Sequence, residues 1–372
     1  MSVKCQVIID AMEKLAPRYL AEGWDNVGLL VGNPAQTVAK VLVALDLTLE
    51  TAQQAAEDNV DLIITHHPYI FKGIQHVRTD LPHGKILSIL LKKDIAVYSA
   101  HTNLDVAENG VNDLLARLFN LESIENLTTG FEEKLCKLVV FVPETHLEEV
   151  RTAITKAGAG HIGEYSHCTF YTSGTGSFLP LEEASPYIGQ QGKLEYVQEA
   201  RLETILPERI VRRVVKAMLK AHPYEEAAYD IYPLQNKGKT LGLGRIGSLL
   251  NPMHLEDFAF LVKEKLGVAS LRIAGNIQGT VRKVAVCGGS GAGLIPKAAF
   301  AGADVLVTGD VKYHEGQDAV AAGIAVIDAG HFATEVPVVE YLKRYLMEYS
   351  QKDRWNVEIT TALTEKDIFS VL

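Results

Sequence analysis

Residues 41–70, VLVALDLTLETAQQAAEDNVDLIITHHPYI, align without a gap to residues 284–313, VAVCGGSGAGLIPKAAFAGADVLVTGDVKY. Val41, Val43, Ala55, Ala56, Asp61 and Thr65 meet identical residues at Val284, Val286, Ala298, Ala299, Asp304 and Thr308. Each copy reads as a short apolar strand, an alanine-rich helix and a second apolar strand. Further on, Ile95-Ala96-Val97 echoes Ile324-Ala325-Val326 as a third strand in each half. Strands alternating with helices predict βαβ units, and the unbroken runs DLIIT and DVLVT suit parallel strands buried on both faces. The predicted fold class is therefore α/β, with two repeated halves forming one domain. Right-handed crossovers align the strand C-termini along one edge of each sheet, and ligands in such folds bind there. Residues just beyond these strands are the first candidates for chemistry.

A segment of different character, residues 127–239, separates the halves and leaves a discontinuous α/β domain over 1–126 and 240–372. It reads strand (Lys134 to Val142), helix (Leu147 to Lys156), strand (Tyr165 to Ser173), strand (Tyr196 to Leu206), helix (Pro207 to Lys220) and strand (Ala227 to Tyr232). That βαββαβ order predicts an inserted ferredoxin-like α+β module. Thr145 followed by Glu148 suggests a capping box, and Pro207 suits a first helical turn. The α/β pattern resumes afterwards at LGLGRIGSL.

Composition narrows the function classes. The chain has 372 residues, 47% hydrophobic and 22% charged, enough for two or three globular domains. Lys plus Arg number 36 against 46 Asp plus Glu, a net charge of −10 that disfavours nucleic acid and anionic membrane as partners. No apolar run is long enough for a transmembrane helix. The opening MSVKCQVIIDAMEKLAP is broken by Asp10, Glu13 and Lys14, and Val7, Ile8, Met12 and Leu15 suit an amphipathic helix rather than a signal peptide. The four cysteines, Cys5, Cys136, Cys168 and Cys287, form no C-x-x-C pair. They read as small buried hydrophobes in a protein of the reducing cytoplasm.

Five residues stand just past predicted strand ends. His66 and His67 end DLIIT, and Pro68 stops that strand. Asp105 follows IAVYS in the polar turn His101-Thr102-Asn103-Leu104-Asp105. His331 and Glu335 follow IAVID, and a helix beginning near His331 would set these two on one face, four residues apart. Adjacent histidines in a strand point apart, so His66 and His67 could serve two neighbouring ions, or a turned backbone could bring them closer. Imidazole and carboxylate donors suit zinc, iron, manganese or nickel, with no thiolate to narrow the choice, and zinc is the first expectation. Five ligands exceed the need of one catalytic zinc and suit two divalent ions sharing a carboxylate.

Other candidates carry less. Asp310, His314 and Glu315 lie opposite the double histidine in the repeat and are nominated by position as acid/base or supporting groups. His314 reads equally well as a solvated helix residue. The turn GGSGAGL after Val281–Cys287 could nest a phosphate on backbone N–H groups, but it lacks both nucleotide-binding glycine spacings. A tight turn explains it equally well. His76, His83, His146, His222 and His254 read as structural or exposed, and ERIVRRVVKAMLK as a solvated helix face.

At these residues the chain resembles a known family. THHPYIF (65–71), AHTNLD (100–105), GLGRIG (242–247), TGDVKYHE (308–315) and DAGHFATE (328–335), with WDNVGLLVG (24–32), resemble the signature segments of the Nif-three-like family, the GTP cyclohydrolase I type 2 homologs. AGAGHIGEYSHCTF and HPYEEAAYDIYPL, inside the insert, are similar to the PII/CutA-like domain of the longer bacterial members. The resemblance implies a dinuclear metal centre with His66, His67, Asp105, His331 and Glu335 as ligands, in a toroidal homohexamer whose sites face an internal cavity. Two functions follow as expectations. One is a metal-dependent hydrolase acting on a nucleotide or phosphoester, with His314 or Glu315 shuttling protons; the other is a non-catalytic regulatory or metal-handling assembly with a small-molecule ligand.

Overall fold

The computed structural model describes residues 2–370. The chain divides into two compact units, one formed by 1–131 with 241–372 and the other by 132–240. The sequence reading set its junctions at 126/127 and 239/240, earlier than these at both ends. Leu127 and Thr128 stay with the first unit because Leu127 N donates to Gly244 O and Thr128 Oγ1 to Leu243 O.

The first unit contains a five-stranded sheet in the order Glu358–Thr361, Lys40–Ala44, Leu62–Thr65, Ala96–Ser99, Gly28–Val31. Its first four strands are parallel and the last is antiparallel. A six-stranded sheet runs Arg272–Ala274, Ala325–Asp328, Val305–Thr308, Thr280–Val286, Arg245–His254, Glu122–Asn126, with three parallel strands at its heart. The repeat is thus carried by the two parallel cores. Leu62 pairs with Val41 and Ala96, just as Val305 pairs with Val284 and Ala325.

The identical residues earn their places for the same reason in both copies. Asp61 Oδ2 accepts the backbone N–H groups of Ala39 and Lys40, and Asp304 Oδ2 those of Arg282 and Lys283, so each aspartate fastens the neighbouring strand just before their parallel pairing begins. The apolar runs are buried on both faces. Val41, Val43, Leu62 and Ile64 enter one core while Leu42, Ala44, Ile63 and Val97 enter another, and Val284, Val305 and Val307 against Ala285, Leu306 and Val326 repeat the arrangement. The opening helix, Cys5–Leu15, buries Ile8, Met12 and Leu15 as expected, but Val7 lies exposed and Cys5 takes the inward position. Cys5, Cys136 and Cys287 are buried; Cys168 is half-exposed.

The second unit has strands Leu135–Pro143, Thr169–Phe178, Glu195–Pro207 and Tyr229–Pro233 with helices Leu147–Lys156 and Val211–Ala221. The sheet order is second, third, first, fourth, every pair antiparallel, which is the ferredoxin-like arrangement. Val150, Ile154, Val214 and Met218 of the helices pack on Leu138, Val140, Val142 and Leu202 of the sheet. Two local expectations give way. No side-chain cap forms before Leu147; Thr145 Oγ1 meets His146 Nδ1 at 2.9 Å and Glu148 instead pairs with Arg151. Pro207 ends a strand and precedes a 3-10 turn, Glu208–Ile210, rather than opening the helix. Among the described residues no helix is long and apolar enough to cross a membrane.

Candidate metal centre

All six central parallel strands of the first unit deliver a residue to one place. Asp46 follows Lys40–Ala44, His66 and His67 follow Leu62–Thr65, and His101 and Asp105 follow Ala96–Ser99. From the second sheet come Gly289 after Thr280–Val286, Asp310 after Val305–Thr308, and His331 and Glu335 after Ala325–Asp328. The strand ends at Thr65, so both histidines sit in a bend and their ring centroids approach to 5.0 Å, the turned-backbone alternative. Asp105 lies not in an open turn but in a one-turn helix, Thr102–Val106. The short helix His331–Glu335 brings His331 Nε2 to 3.0 Å from Glu335 Oε2.

Three groups of donors have ligand atoms mutually within 4.8 Å: His67 with His331 and Glu335, His66 with Asp105 and Glu335, and His66 with His67 and His101. In the first, His67 Nε2 lies 2.9 Å from Glu335 Oε2 and 3.4 Å from His331 Nε2. Those spacings approximate the edges, about 3.3 Å, of a tetrahedron around a zinc-sized ion. In the second, His66 Nε2 lies 3.6 Å from Asp105 Oδ1 and 3.7 Å from Glu335 Oε1. The two oxygens of Glu335 are therefore shared out, one to each group.

The imidazoles are aimed by what holds their other nitrogen. His66 Nδ1–H donates to Ala100 O at 2.8 Å, His67 to Asp46 Oδ1 at 2.8 Å, His331 to Asp310 Oδ2 at 2.7 Å and His101 to Asp25 Oδ1 at 3.0 Å. A carbonyl or carboxylate only accepts, so each Nδ1 must carry the proton, and the Nε2 atoms of His66, His67 and His331 face the cluster. Such outer partners are typical of metal-ligating histidines. Asp310 holds its position with φ +56°, a left-handed conformation that aspartate tolerates better than most residues.

Two atoms test the fit. His66 Nε2 and Asp105 Oδ1 are sealed from solvent without a hydrogen-bond partner. Buried polar groups are nearly always satisfied, and a cation between these two would satisfy both. The electrostatics point the same way. Burial alone would make His66 and His67 less basic, but the Asp105 and Glu335 carboxylates outweigh it for His66, and Asp46 with Glu335 lifts His67 to about 10. The hydrogen bond to Glu335 raises His331 to about 9. Burial pushes the Asp105 carboxyl up to about 6, whereas Glu335 is held well below the usual range, its burial offset by His331, His66 and His67. Without metal, protons stand where cations would, and cation binding would release them.

The glycine turn has its explanation here. A Cβ on Gly289, itself at φ +61°, would come within 2.2 Å of Glu335 Oε1. The turn's N–H groups are already engaged: Gly288 with Asn112 Oδ1, Gly289 with Thr334 Oγ1 and Gly291 with Thr308 Oγ1. Close approach, rather than a phosphate nest, is what these glycines supply.

His314 and Glu315 are the sequence candidates that the structure does not bring in. His314 is exposed with Nδ1 at 3.0 Å from Gln317 Oε1, and Glu315 accepts Lys312 N at 2.7 Å to cap the helix Tyr313–Ala321. Neither belongs to a donor group. Asp46, His101 and Asp25 were missed. Their signal was their position: Asp46 and His101 also follow repeat strands.

The model of the Duf34/NIF3 (NGG1p interacting factor 3) family matches residues 3–368. The chain belongs to that family. A Bacillus subtilis (strain 168) relative named GTP cyclohydrolase 1 type 2 homolog is 46% identical over 371 residues, covering 100% of this chain and 99% of its own. The crystal structure of a Bacillus cereus protein related to NIF3 matches with TM-score 0.92 at 46% identity, over 100% of this chain and 99% of that one. Staphylococcus aureus protein SA1388 matches with TM-score 0.80 at 31% identity, over 100% and 99%. The mixed α/β fold with several sheets is thus a Duf34/NIF3 fold, and the donor groups that could hold metal lie within its matched span.

Proposed function

We propose that this protein binds two divalent ions, zinc first and iron, manganese or nickel otherwise, and uses them to hydrolyse a nucleotide or phosphoester. The observation that carries the reading is the division of Glu335 between two donor groups of three protein ligands each. Three protein ligands leave coordination positions for solvent or substrate. His67 and His331 with Glu335 Oε2 would hold one ion, and His66 and Asp105 with Glu335 Oε1 the other. A bound pair would supply Lewis acidity and a water of lowered pKa.

The chain's own residues do the rest. His101, tied to Asp25 through Nδ1 and grouped with His66 and His67, is the imidazole that would take or give a proton. Beside it stand Trp24 and Phe71, 61% and 46% exposed, with ring centroids 5.7 Å from one another and 6.2 and 6.4 Å from His101. Exposed aromatic faces bordering a metal site favour a planar ring such as a nucleobase, which agrees with the cyclohydrolase name of the Bacillus subtilis relative.

A homohexamer is part of the proposal. Phe300, Leu250 and Phe260 of the first unit are 96%, 72% and 62% exposed, large apolar side chains that contacts between copies would cover. The inserted unit, read as PII/CutA-like, has its own core and its own cavity, which favours a second reading: a ligand-sensing or metal-handling assembly without turnover.

The test is metal analysis with a turnover assay on reconstituted protein against GTP and a phosphoester panel. The expected result is about two ions per chain and hydrolysis lost in His67→Ala and Glu335→Gln. Activity unchanged in both variants overturns the hydrolase reading, and bound ions without turnover of any substrate favour the second.

A further inference from the structure

The unit 132–240 holds a cavity of about 410 Å³, within the usual range for small-molecule sites. Its floor is Glu199, 9% exposed, on the strand Glu195–Pro207. The neighbouring strand makes room for that carboxylate: a Cβ on Gly176 would lie 2.1 Å from Glu199 Oε2, so only glycine permits the acid to sit there. Aromatic rings form the walls. Tyr224 stands with its ring centroid 5.9 Å from Phe178 and 6.3 Å from Tyr187, and its hydroxyl is sealed from solvent without a hydrogen-bond partner. Burial and the nearby Glu199 carboxylate push the Tyr224 phenol up, so it stays neutral.

The motif His222-Pro-Tyr-Glu-Glu, left over by the metal centre, builds one side. His222 Nε2–H donates to Phe141 O at 2.9 Å and Nδ1 accepts Tyr224 N at 3.1 Å, which fixes the tyrosine's backbone. Glu225 accepts Ser185 N at 2.9 Å and pins the loop that carries Pro186 and Tyr187 over the cavity. The lining residues include Glu199, Glu225 and Glu226 and no lysine or arginine. An anion such as a nucleotide phosphate would meet carboxylates here with nothing to neutralise it.

We propose that this cavity binds a small organic cation, an alkylammonium or guanidinium, with its charge on Glu199 and its carbon groups against Phe178, Tyr187 and Tyr224. A buried carboxylate supplies the counter-charge, and aromatic faces attract a cation through their quadrupole. The lining residues all belong to the unit 132–240, and the proposal does not depend on what the metal centre does.

The experiment titrates full-length, metal-loaded protein with choline, with butylguanidinium and with 3,3-dimethyl-1-butanol, the uncharged isostere of choline, by calorimetry and ligand-observed saturation transfer. At least one cation is expected to bind with Kd below about 1 mM and at least about tenfold more tightly than the isostere. Glu199→Gln and Tyr187→Ala should each weaken it about tenfold or more. Tyr187 is 56% exposed, so its variant tests the site even if the buried Gln variant folds poorly. Equal binding of the isostere, unchanged affinity in Tyr187→Ala, displacement of choline by ATP, or no cation binding up to about 10 mM overturns the proposal.

Discussion

Glu335 is 4% exposed and lies among three imidazoles, a location tolerable for a carboxylate only when its charge is matched. The matching extends outward. Asp46 and Asp310 hold His67 and His331 by Nδ1, so the cluster is oriented by acids that never enter it. Asp310→Asn isolates that effect, because asparagine also accepts the left-handed backbone at φ +56°. It should lower metal affinity about 10- to 100-fold with the fold intact, as measured by competition with a chromophoric chelator; unchanged affinity would show that Asp310 does not position His331. The donor residues were legible in sequence because each lies shortly after an apolar strand. Asp25 was not, since its partner His101 lies 76 residues away and no repeat strand precedes it, whereas Asp46 does follow a repeat strand and only its role, holding His67 from 21 residues away, stayed hidden.

Turns and strands tell a similar story. The glycine turn over Glu335 leaves no room for a side chain, so Gly289→Ala should displace Glu335, halve or abolish metal content and destabilise the chain by about 1–3 kcal/mol. Gly293→Ala, four residues on, has nothing within 4 Å of a Cβ and serves as the control. Elemental analysis with denaturant unfolding reads both, and equal metal content in the two variants would refute the steric argument. The parallel strands were readable because burial on both faces writes a continuous apolar run. Antiparallel partners such as Gly28–Val31 and Arg245–His254 were not assigned, because their pairing is set by distant strands rather than by their own residues. The capping box expected at Thr145 failed because a 3-10 turn, Glu144–His146, takes up that position.

Metal loading should be visible in the stability of the whole chain. In the metal-free protein, the carboxylates around His67 and His331 raise them to about 10 and about 9, above the ordinary 6.5. A raised imidazole means that the folded chain holds more protons than the unfolded one, so this stabilisation is complete below pH 6.5 and is lost as pH rises through about 9 to about 10. Chelator-treated protein should therefore show a Tm that falls steadily above pH 6.5. Loaded protein should resist that fall, because cations replace the protons. A flat or rising Tm for the metal-free chain over this range would contradict the assignment.

One feature of the backbone bears on how such a chain arose. Within the first unit Gly130 N donates to Leu241 O, and within the second Glu133 N donates to Lys239 O. Each unit thus has its cut ends side by side. The second is spliced into the first like a clause in parentheses, and a lineage could gain or discard it in one recombination step without rethreading either core.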